Sequence, residues 1–532
     1  MKRKHLILFL FFICSSLILD TQNSFTQSQF QLVVRDSSNS GAEARSIIQT
    51  TDGGFIAVGE TGINGDMYIV KLNSSGQLQW SKTIGGSGQD IALSVVQTND
   101  GGFAVSGFGN SFGAGAIGAF IVKLNPAGTV EWARILVDGF NDAAYSIVQT
   151  IDGGYATVIS PGEGGFSPDR MIIVKLNNMG ILQWSKRIGG FSYARSIKQT
   201  ADKGYVVAGG TEDPVNFDFN MYVVKLDSNG SLQWAKTVGG LNDDFAYSIV
   251  QTTDGGYAVA GRTSSFPNGD KMYIVKLDSS GLLQWTKVVS VFLDEAFSIV
   301  QTTDGGYAVA GYNGAHSSML ILKLNPDGSL QWSRVVDGGL GTTYARSLIQ
   351  TTDGSYIAAG YGGIVGTRGM FIVKFDNNGN TCGNTFSHNI SIDTGGILGS
   401  TVPTITNIPV LDTLVTPSTG SRGFVTLICV IGIQPISSEI PESFKLFQNY
   451  PNPFNPTTNI KFAIPRDANV SIKIYDVTGK EVFSVNEYKS AGSYELMFDG
   501  SNLASGLYFY SIKAETSQRD VFTETKKMVL IK

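Results

Sequence analysis

The sequence predicts an all-β protein made of repeated units, and three observations lead to this prediction. The chain has 532 residues, too many for one ordinary hydrophobic core. It contains 64 Gly, only 16% charged residues and 11% aromatic residues, a composition that suits short strands joined by tight turns. The third observation is an internal repeat, which favours an array of similar structural units over several unrelated domains.

Two recognisable segments recur along the chain. Asp caps turns and Gly supplies positive φ, so the segments predict tight turns between short strands. The first segment reads Q-T-T-D-G-G-Y or a close variant, and its Gln recurs at intervals of 48 to 52 residues as Gln49, Gln97, Gln149, Gln199, Gln251, Gln301 and Gln350. The second segment reads K-L-D-x-x-G-x-L-Q-W, and it contains all six tryptophans of the chain: Trp80, Trp132, Trp184, Trp234, Trp285 and Trp332.

Each unit is interpreted as four antiparallel strands, the pattern of one β-propeller blade. The seventh copy has a third strand at residues 371–375 but lacks the L-Q-W strand after it. Residues 30–34 stand at the corresponding offset before the first copy. We therefore expect a seven-bladed β-propeller over residues 28–380, in which an N-terminal strand completes the last blade and removes exposed edges.

The repeat segments resemble two known propeller families. K-L-D-x-x-G-x-L-Q-W resembles the D-x-x-T-G-x-x-x-W segment of quinoprotein-type repeats, and the G-G doublet resembles kelch repeats. A quinone-dependent dehydrogenase would imply a vicinal cysteine pair and calcium ligands, and the sequence has neither pattern. The D-G-G segments also lack the alternating acidic residues of a calcium loop. We expect no cofactor and no metal.

The N-terminus predicts secretion. Met1, Lys2, Arg3 and Lys4 precede an apolar run over residues 6–19 and a polar stretch, so residues 1–27 are interpreted as a signal peptide. We expect no transmembrane helix in the mature chain. The net charge is -5 and the pI is about 5.4, which argues against a nucleic-acid partner.

Two cysteines, Cys382 and Cys429, remain after the signal peptide. In an oxidising compartment they are able to pair, and two separate thiols are the alternative. Both lie in residues 381–440, which are rich in Thr, Ser and Gly and are interpreted as a partly ordered connector.

Residues 441–532 predict a small immunoglobulin-like β-sandwich, because short alternating strands occur at 460–464, 470–475, 494–498 and 507–512. Four segments carry a resemblance to the type A sorting domain of type IX secretion: N-Y-P-N-P-F-N-P-T-T from Asn449, I-Y-D-V-T-G-K-E-V from Ile474, L-A-S-G-L-Y from Leu503 and K-K-M-V-L from Lys526. The resemblance implies export to the outer-membrane surface by the type IX machinery, with cleavage of the tail and attachment to surface polysaccharide. An accessory immunoglobulin-like module is the alternative.

Candidate site residues lie where the repeats differ. The tryptophans are expected to pack between blades. The loops after the second strand vary, at residues 61–66, 110–118, 161–169, 211–220, 263–270 and 313–317, and so do the segments between blades, which contain Asp90, Asp142, Asp243, Asp244, Asp294 and Glu295. Recognition usually resides on variable loops held by a rigid scaffold.

One inner-strand position also differs among the repeats and reads Arg45, Leu93, Tyr145, Arg195, Tyr247, Phe297 and Arg346. It is interpreted either as an anion or sugar site or as interblade packing.

These features favour a secreted or cell-surface binding or adhesion module that recognises a glycan or a protein. The alternative is an extracellular carbohydrate-active enzyme that uses loop carboxylates such as Asp243 and Asp294. A third hypothesis is a structural component of the surface layer. The sequence offers no general base beside a nucleophile, because the three histidines are His5, His316 and His388, so no catalytic residue is assigned.

Overall fold

The computed structural model describes residues 29–531, apart from 36–40, 62–64, 87, 112–116, 138–140, 162–170, 268, 291–293, 315–316, 337–341, 365–366, 382–384, 387–390, 394–396, 401–404, 408–410, 416–417, 421–423, 432, 438–439, 501–502 and 517–519. The expected signal peptide and Cys382 lie outside the described residues, and so does the side chain of Cys429. Pairing of the two cysteines therefore stays a prediction.

The chain divides into two compact units, Gln27–Gln434 and Pro435–Lys532. Every regular element of the described residues is a β-strand, which confirms the all-β prediction. Each unit has its own buried apolar side chains.

The first unit contains seven similar antiparallel sheets, numbered in chain order. Sheet 1 contains β2 (Ala42–Gln49), β3 (Phe55–Thr61), β4 (Met67–Leu72) and β5 (Leu78–Gly85). Sheet 2 contains β6 (Asp90–Gln97), β7 (Phe103–Gly109), β8 (Gly118–Leu124) and β9 (Val130–Val137). Sheet 3 contains β10 (Asp142–Gln149), β11 (Tyr155–Pro161), β12 (Met171–Leu176) and β13 (Leu182–Ile188). Sheet 4 contains β14 (Ser192–Gln199), β15 (Tyr205–Glu212), β16 (Phe219–Leu226) and β17 (Leu232–Gly239). Sheet 5 contains β18 (Asp244–Gln251), β19 (Tyr257–Thr263), β20 (Lys271–Leu277) and β21 (Leu283–Ser290). Sheet 6 contains β22 (Glu295–Gln301), β23 (Tyr307–Asn313), β24 (Ser318–Leu324) and β25 (Leu330–Val336).

Sheet 7 combines strands from both ends of the repeat region. It contains β26 (Tyr344–Gln350), β27 (Tyr356–Ile364), β28 (Thr367–Phe375) and β1 (Gln29–Arg35). β1 pairs antiparallel with β28, with Phe30 opposite Lys374. The N-terminal strand thus takes the place of the fourth strand that the last repeat lacks.

The sheets pack face to face through apolar clusters, each built from two consecutive sheets. One further cluster joins sheet 7 to sheet 1 and includes Phe30, Met370, Ala44 and Tyr68. Because both faces of a sheet are covered, the middle strands are buried along their whole length, as in β4. Their near-continuous apolar sequences follow from this packing.

The repeated Gln and aromatic residues also link neighbouring sheets. Gln97 Oε1 of sheet 2 accepts a hydrogen bond from Thr51 N of sheet 1 at 2.8 Å. The equivalent bonds join every following pair, and Gln49 of sheet 1 accepts one from Thr352 N of sheet 7 at 2.8 Å. These bonds explain the Gln that opens each repeat segment.

The D-G-G turns are fixed by an ion pair. In sheet 1, Asp52 Oδ1 accepts a hydrogen bond from Gly54 N at 3.0 Å, and its carboxylate lies 2.8 Å from the buried Lys71 ammonium. Gly53 has φ +77°, in the left-handed region that favours glycine. All seven sheets have the pair: Lys71–Asp52, Lys123–Asp100, Lys175–Asp152, Lys225–Asp202, Lys276–Asp254, Lys323–Asp304 and Lys374–Asp353.

Residues 385–431, which we call the peripheral segment, add a fifth strand to each sheet. The sequence analysis interpreted this region as a connector and did not predict the strands. They are β29 (Thr385–Phe386), β30 (Ser391–Asp393), β31 (Ile397–Ser400), β32 (Ile405–Asn407), β33 (Leu411–Val415), β34 (Ser418–Gly420) and β35 (Phe424–Ile431). They pair in this order with sheets 6, 5, 4, 3, 2, 1 and 7. The outer strand that would otherwise expose unpaired backbone is therefore covered in each sheet.

The second unit contains two four-stranded sheets. One consists of β36 (Ile433–Ser437), β41 (Gly492–Asp499), β38 (Thr457–Ile464) and β37 (Lys445–Leu446), and the other of β40 (Glu481–Lys489), β39 (Ala468–Asp476), β42 (Gly506–Thr516) and β43 (Val521–Leu530). The buried Asn449 amide donates to Pro451 O and Thr458 Oγ1, at 3.1 and 2.9 Å. Phe454 N donates to Val529 O at 2.9 Å, so the N-Y-P-N-P-F segment is held against the last strand.

Candidate functional site

The inner strand of each sheet carries a β-bulge at the variable position. In sheet 1 the register shifts between Ala44 and Ser46, so Arg45 is the extra residue of β2 at this point. The extra residues in the seven sheets are Arg45, Leu93, Tyr145, Arg195, Tyr247, Phe297 and Arg346. A bulge redirects a side chain out of the regular alternation and often lies beside a functional site.

Two of the three candidate arginines share a glutamate. Arg45 lies 3.1 Å from the Glu43 carboxylate and 2.8 Å from that of Glu60. Arg346 Nε lies 3.2 Å from Glu43, and the Tyr344 hydroxyl donates to Glu43 at 2.9 Å. Carboxylates therefore compensate both guanidinium charges, which weakens the interpretation of the three arginines as one anion site.

The third arginine is held by aromatic rings. The Arg195 guanidinium lies 3.9 Å from the centroid of Tyr145 in the preceding sheet. Arg346 lies 4.2 Å from the Phe297 ring in the same way, and the Tyr247 and Phe297 rings are 5.4 Å apart. The bulge residues thus contact one another across sheets. Among the described residues, no carboxylate pairs with Arg195.

The two candidate carboxylates occupy different environments. Asp294 is 0% exposed, and its Oδ1 accepts a hydrogen bond from Gly314 N at 3.0 Å. Burial raises the pKa of Asp294 to about 7, in spite of that hydrogen bond. Asp243 Oδ1 accepts from Phe219 N at 2.9 Å and is partly exposed. Because Asp294 is enclosed, it does not present a carboxylate on the surface, contrary to its expected position on an accessible loop.

Other acidic residues between sheets are enclosed in the same way. Asp90, Asp142 and Asp244 are fully buried at the start of their inner strands. Asp90 Oδ2 accepts from Gly86 N at 3.0 Å, and Asp244 Oδ2 accepts from Gly240 N at 2.7 Å. Burial raises the pKa of both carboxyl groups. These residues hold the loops between sheets.

Each Trp contacts an aromatic residue of the next sheet, edge to face. The Trp234 ring lies 5.5 Å from Tyr257, and the other pairs are Trp80–Phe103, Trp132–Tyr155, Trp184–Tyr205, Trp285–Tyr307 and Trp332–Tyr356. Phe30 of β1 makes the equivalent contact with Phe55 of sheet 1 at 6.1 Å. A groove of about 520 Å³ beside Trp184 and Tyr205 is lined by these repeated packing residues.

An aromatic cluster distinguishes sheets 4 and 5. The Tyr193, Phe219 and Phe245 rings lie 5.7 to 6.1 Å apart, and the Arg262 guanidinium lies 4.6 Å from the Phe245 ring. The cluster supports the loop at residues 211–220, which is the one of the six variable loops after a second strand that the structure describes in full. Arg262 also pairs with Asp270 and Glu295, at 2.9 and 3.2 Å. The sequence analysis missed this cluster because its members come from three strands.

Lys198 is a second feature that the sequence analysis missed. It lies on inner strand β14 at a position where the other sheets have Ile48, Val96, Val148, Val250, Val300 and Ile349. Its side chain has exposed surface, yet enough protein surrounds it that desolvation lowers the pKa of its ammonium group. Alignment of the seven inner strands would have found it.

Two kinds of feature are absent from the described residues. No group of three or more His, Cys, Asp and Glu side chains is placed to hold a metal ion. No helix long and apolar enough to cross a membrane occurs in the part of the chain that the structure describes.

The C-terminal unit belongs to a known class of domain. Residues 448–530 match the family model of the secretion system C-terminal sorting domain. This match confirms the predicted type IX sorting domain and implies interaction with the type IX secretion machinery. The protein is therefore secreted or displayed on the cell surface.

Comparisons of the whole chain are less informative. No curated protein matches the sequence. Similar solved structures include Sqt1 from Chaetomium thermophilum (11% identity, 67% of this chain and 86% of that chain, TM-score 0.40) and the extracellular domain of a putative hybrid two-component system from B. thetaiotaomicron (10%, 92% and 81%, TM-score 0.21). Dimeric latent PorU from Porphyromonas gingivalis is another (10%, 78% and 31%, TM-score 0.15). With TM-scores this low, these likenesses assign no function.

Proposed function

We propose that residues 28–380 form a closed seven-bladed β-propeller. Three sets of contacts support this proposal, and each includes a contact between sheets 7 and 1: the apolar clusters, the Gln hydrogen bonds and the aromatic pairs. A linear stack would leave the first and last sheets without such contacts. On the same proposal, the peripheral segment, residues 385–431, is an outer reinforcement of the ring, and residues 441–532 form an immunoglobulin-like sandwich to which β36 adds an edge strand.

The propeller is a non-enzymatic binding or adhesion module that acts outside the cell on a glycan or protein ligand. The observation that carries this proposal is the difference between the two sets of loops. The D-G-G turns repeat the same Lys–Asp pair and Gln bond in every sheet, whereas the residue at the bulge and the sequences of the nearby loops differ from sheet to sheet. A rigid scaffold with one variable face is suited to recognition.

Hydrolysis of polysaccharide is less well supported. It would need two accessible carboxylates beside the scissile bond. Asp294 is enclosed, and it accepts a backbone hydrogen bond that stabilises the loop containing Gly314. Asp243 likewise accepts a backbone hydrogen bond, from Phe219.

The proposal is tested with the mature chain, residues 28–532, immobilised and screened against polysaccharides and extracellular matrix proteins. The same samples are assayed for new reducing ends and for peptide release. Retention of a ligand without product is the expected result. Product formation would replace the binding module by an enzyme, and absence of retention on all surfaces would reject the binding role.

A further inference from the structure

Four large apolar side chains are exposed on neighbouring loops of sheets 3 to 5. Phe191, Val215, Phe217 and Leu241, which we call the apolar rim, are exposed by 53, 78, 73 and 78%. Single exposed apolar residues are common, but a group of them marks an interaction surface.

Hydrogen bonds hold the rim segments together. Glu212 N donates to Phe191 O at 2.8 Å, which joins the loop between sheets 3 and 4 to the end of β15. Phe219 N donates to Asp243 Oδ1 at 2.9 Å, which joins β16 to the loop that contains Leu241. The four residues therefore lie on loop segments that are joined to one another by hydrogen bonds.

The turn that carries Val215 and Phe217 is closed and strained. Asp213 N donates to Asp218 O, and Phe217 N donates to Asp213 O, at 2.8 and 2.9 Å. Phe217 has φ +62°, a left-handed conformation that is unusual for a bulky residue. Gly or Asn would adopt it at lower cost, so the turn presents the Phe217 ring at the expense of local stability.

Aromatic packing supports the turn that carries Val215 and Phe217. Phe219 follows the turn directly and packs against Tyr193 and Phe245 at centroid distances of 5.7 and 5.8 Å. Such packing limits the motion of the loop and reduces the entropy lost when a partner binds.

The surroundings of the rim are acidic. The rim loops, residues 189–193, 211–220 and 240–243, contain four carboxylates and no Lys or Arg: Glu212, Asp213, Asp218 and Asp243. Two guanidinium groups lie against the aromatic cluster beside these loops, and that of Arg262 is neutralised by Asp270 and Glu295, whereas Arg195 stacks on Tyr145. An apolar surface bordered by one sign of charge selects partners of the opposite sign. The same charge disfavours anionic lipid surfaces and acidic polysaccharides.

We propose that the apolar rim and its acidic border are a docking site for a protein segment that combines apolar and cationic side chains. The proposal rests on the binding function proposed above and names its partner chemistry. Phe191 and Phe217 offer ring faces, but Val215 and Leu241 beside them are more exposed and aliphatic, and they suit the aliphatic side chains of a polypeptide better than a sugar.

The test uses the mature chain and three labelled peptides of equal length, composed of Leu, Lys and Gly, of Leu, Glu and Gly, or of Ser, Lys and Gly. Binding is measured by fluorescence anisotropy. We expect the Leu/Lys peptide to bind and the other two not to bind, with affinity that falls as salt is added. Absence of Leu/Lys binding, or equal binding of the Leu/Glu peptide, overturns the proposal.

Variants locate the site. The double variant F217N/L241N removes two rim side chains, and Asn tolerates the left-handed turn, so its melting temperature should not fall. We expect about a tenfold or greater loss of Leu/Lys affinity. The matched control is L282N, which replaces a side chain that is 53% exposed on the turn between β20 and β21. Equal binding by wild type and F217N/L241N overturns the proposal.

The two proposals fail in different ways. If a ligand from the polysaccharide and protein screen binds F217N/L241N as well as it binds wild type, the rim is not the docking site, but the binding module stands. If no ligand in that screen is retained by wild type, the binding module itself is rejected.

Discussion

The Lys374 ammonium lies 3.1 Å from the Asp353 carboxylate, whereas the six equivalent pairs are 2.7 to 2.9 Å apart. Sheet 7 also has Ser355 where the other sheets have glycine. At the equivalent Gly54, a Cβ would lie 2.3 Å from Leu72 O and 2.7 Å from the Lys71 ammonium. The extra atoms of Ser355 therefore crowd the lysine of its own sheet.

The first prediction follows from this crowding. Ser355 is fully buried, and its hydroxyl has no hydrogen-bond partner among the described residues. We expect S355G to raise the free energy of unfolding by about 1 kcal/mol, measured by urea denaturation. The control is S279G, on an exposed turn. A less stable S355G protein would show that the serine stabilises sheet 7.

The second prediction concerns the stability of the protein at acid pH. Burial tends to raise the pKa of the turn aspartates, but hydrogen bonds from Lys, Thr and Gly outweigh it and lower the pKa of Asp52, Asp100, Asp152, Asp202 and Asp254 from 3.8 to about 2. A carboxylate with a lowered folded-state pKa stabilises the fold above its unfolded pKa, and this contribution is lost as the pH falls through the folded value. We expect the free energy of unfolding to decline between pH 3.8 and about pH 2.

A variant checks the assignment. K225M removes one of the seven Lys–Asp pairs. The free energy of unfolding of this variant should therefore depend less steeply on pH in this range than the free energy of unfolding of wild type. Chemical denaturation at several pH values measures both slopes. Equal slopes would mean that the pairs do not govern the acid sensitivity.

The third prediction concerns Asp294, whose contribution to stability falls as the pH rises, opposite to that of the turn aspartates. The folded-state pKa of Asp294 is raised from 3.8 to about 7, so its contribution to stability is present below pH 3.8 and is lost as the pH rises through 7. D294N removes the titration, and we expect it to stabilise the protein above pH 7 by on the order of 2 kcal/mol. The control is D243N, which alters a partly exposed carboxylate that also accepts a backbone hydrogen bond. A destabilised D294N protein at high pH would contradict the assignment.

The fourth prediction tests the contacts between sheets. Trp234 is partly buried against Tyr257 and Gly281, so W234A should remove packing between sheets 4 and 5 and cost about 3 kcal/mol, the lower end of the range for an enclosed Trp. Thermal and urea unfolding provide the measurement. L282A, on an exposed turn, should change stability by no more than about 0.5 kcal/mol. Unchanged stability of W234A would argue against the packing role of the tryptophans.

The fifth prediction concerns export. Deletion of residues 441–532 removes the whole matched sorting domain, so the truncated protein should accumulate in the periplasm. Fractionation and surface labelling of cells that produce the full or truncated chain measure its location. Normal surface display of the truncated chain would reject the sorting role of the tail.

Sequence reasoning predicted the repeated strands well because each repeat has the same turn chemistry and the same apolar pattern. The place of the N-terminal strand beside β28 also followed from counting strands, whereas its register, with Phe30 opposite Lys374, did not. The peripheral segment was not predicted, since its strands have two to eight residues and lack the repeat pattern. Their pairing depends on edges supplied by distant parts of the chain.

The site was predicted less completely. The sequence identified the position of Arg45 and its equivalents, but not the bulge that places them or the Glu43 that joins Arg45 to Arg346. Burial of Asp294 was missed because a carboxylate between two repeats resembles any other loop residue in sequence. Such errors concern contacts between separate strands, which residue types do not reveal.

The order of the peripheral segment has a mechanical consequence. β35 lies beside β1, which in turn pairs with β28, so the first strand of the unit is held between its last repeat and the strand that leads to the C-terminal unit. A pull on the C-terminal unit reaches the repeats through β35, where seven residues of β1 have partners. Load applied to the C-terminal unit is therefore carried first by the sheet that joins the two ends of the repeat array, and the six shorter outer strands bear it only after β35 has detached.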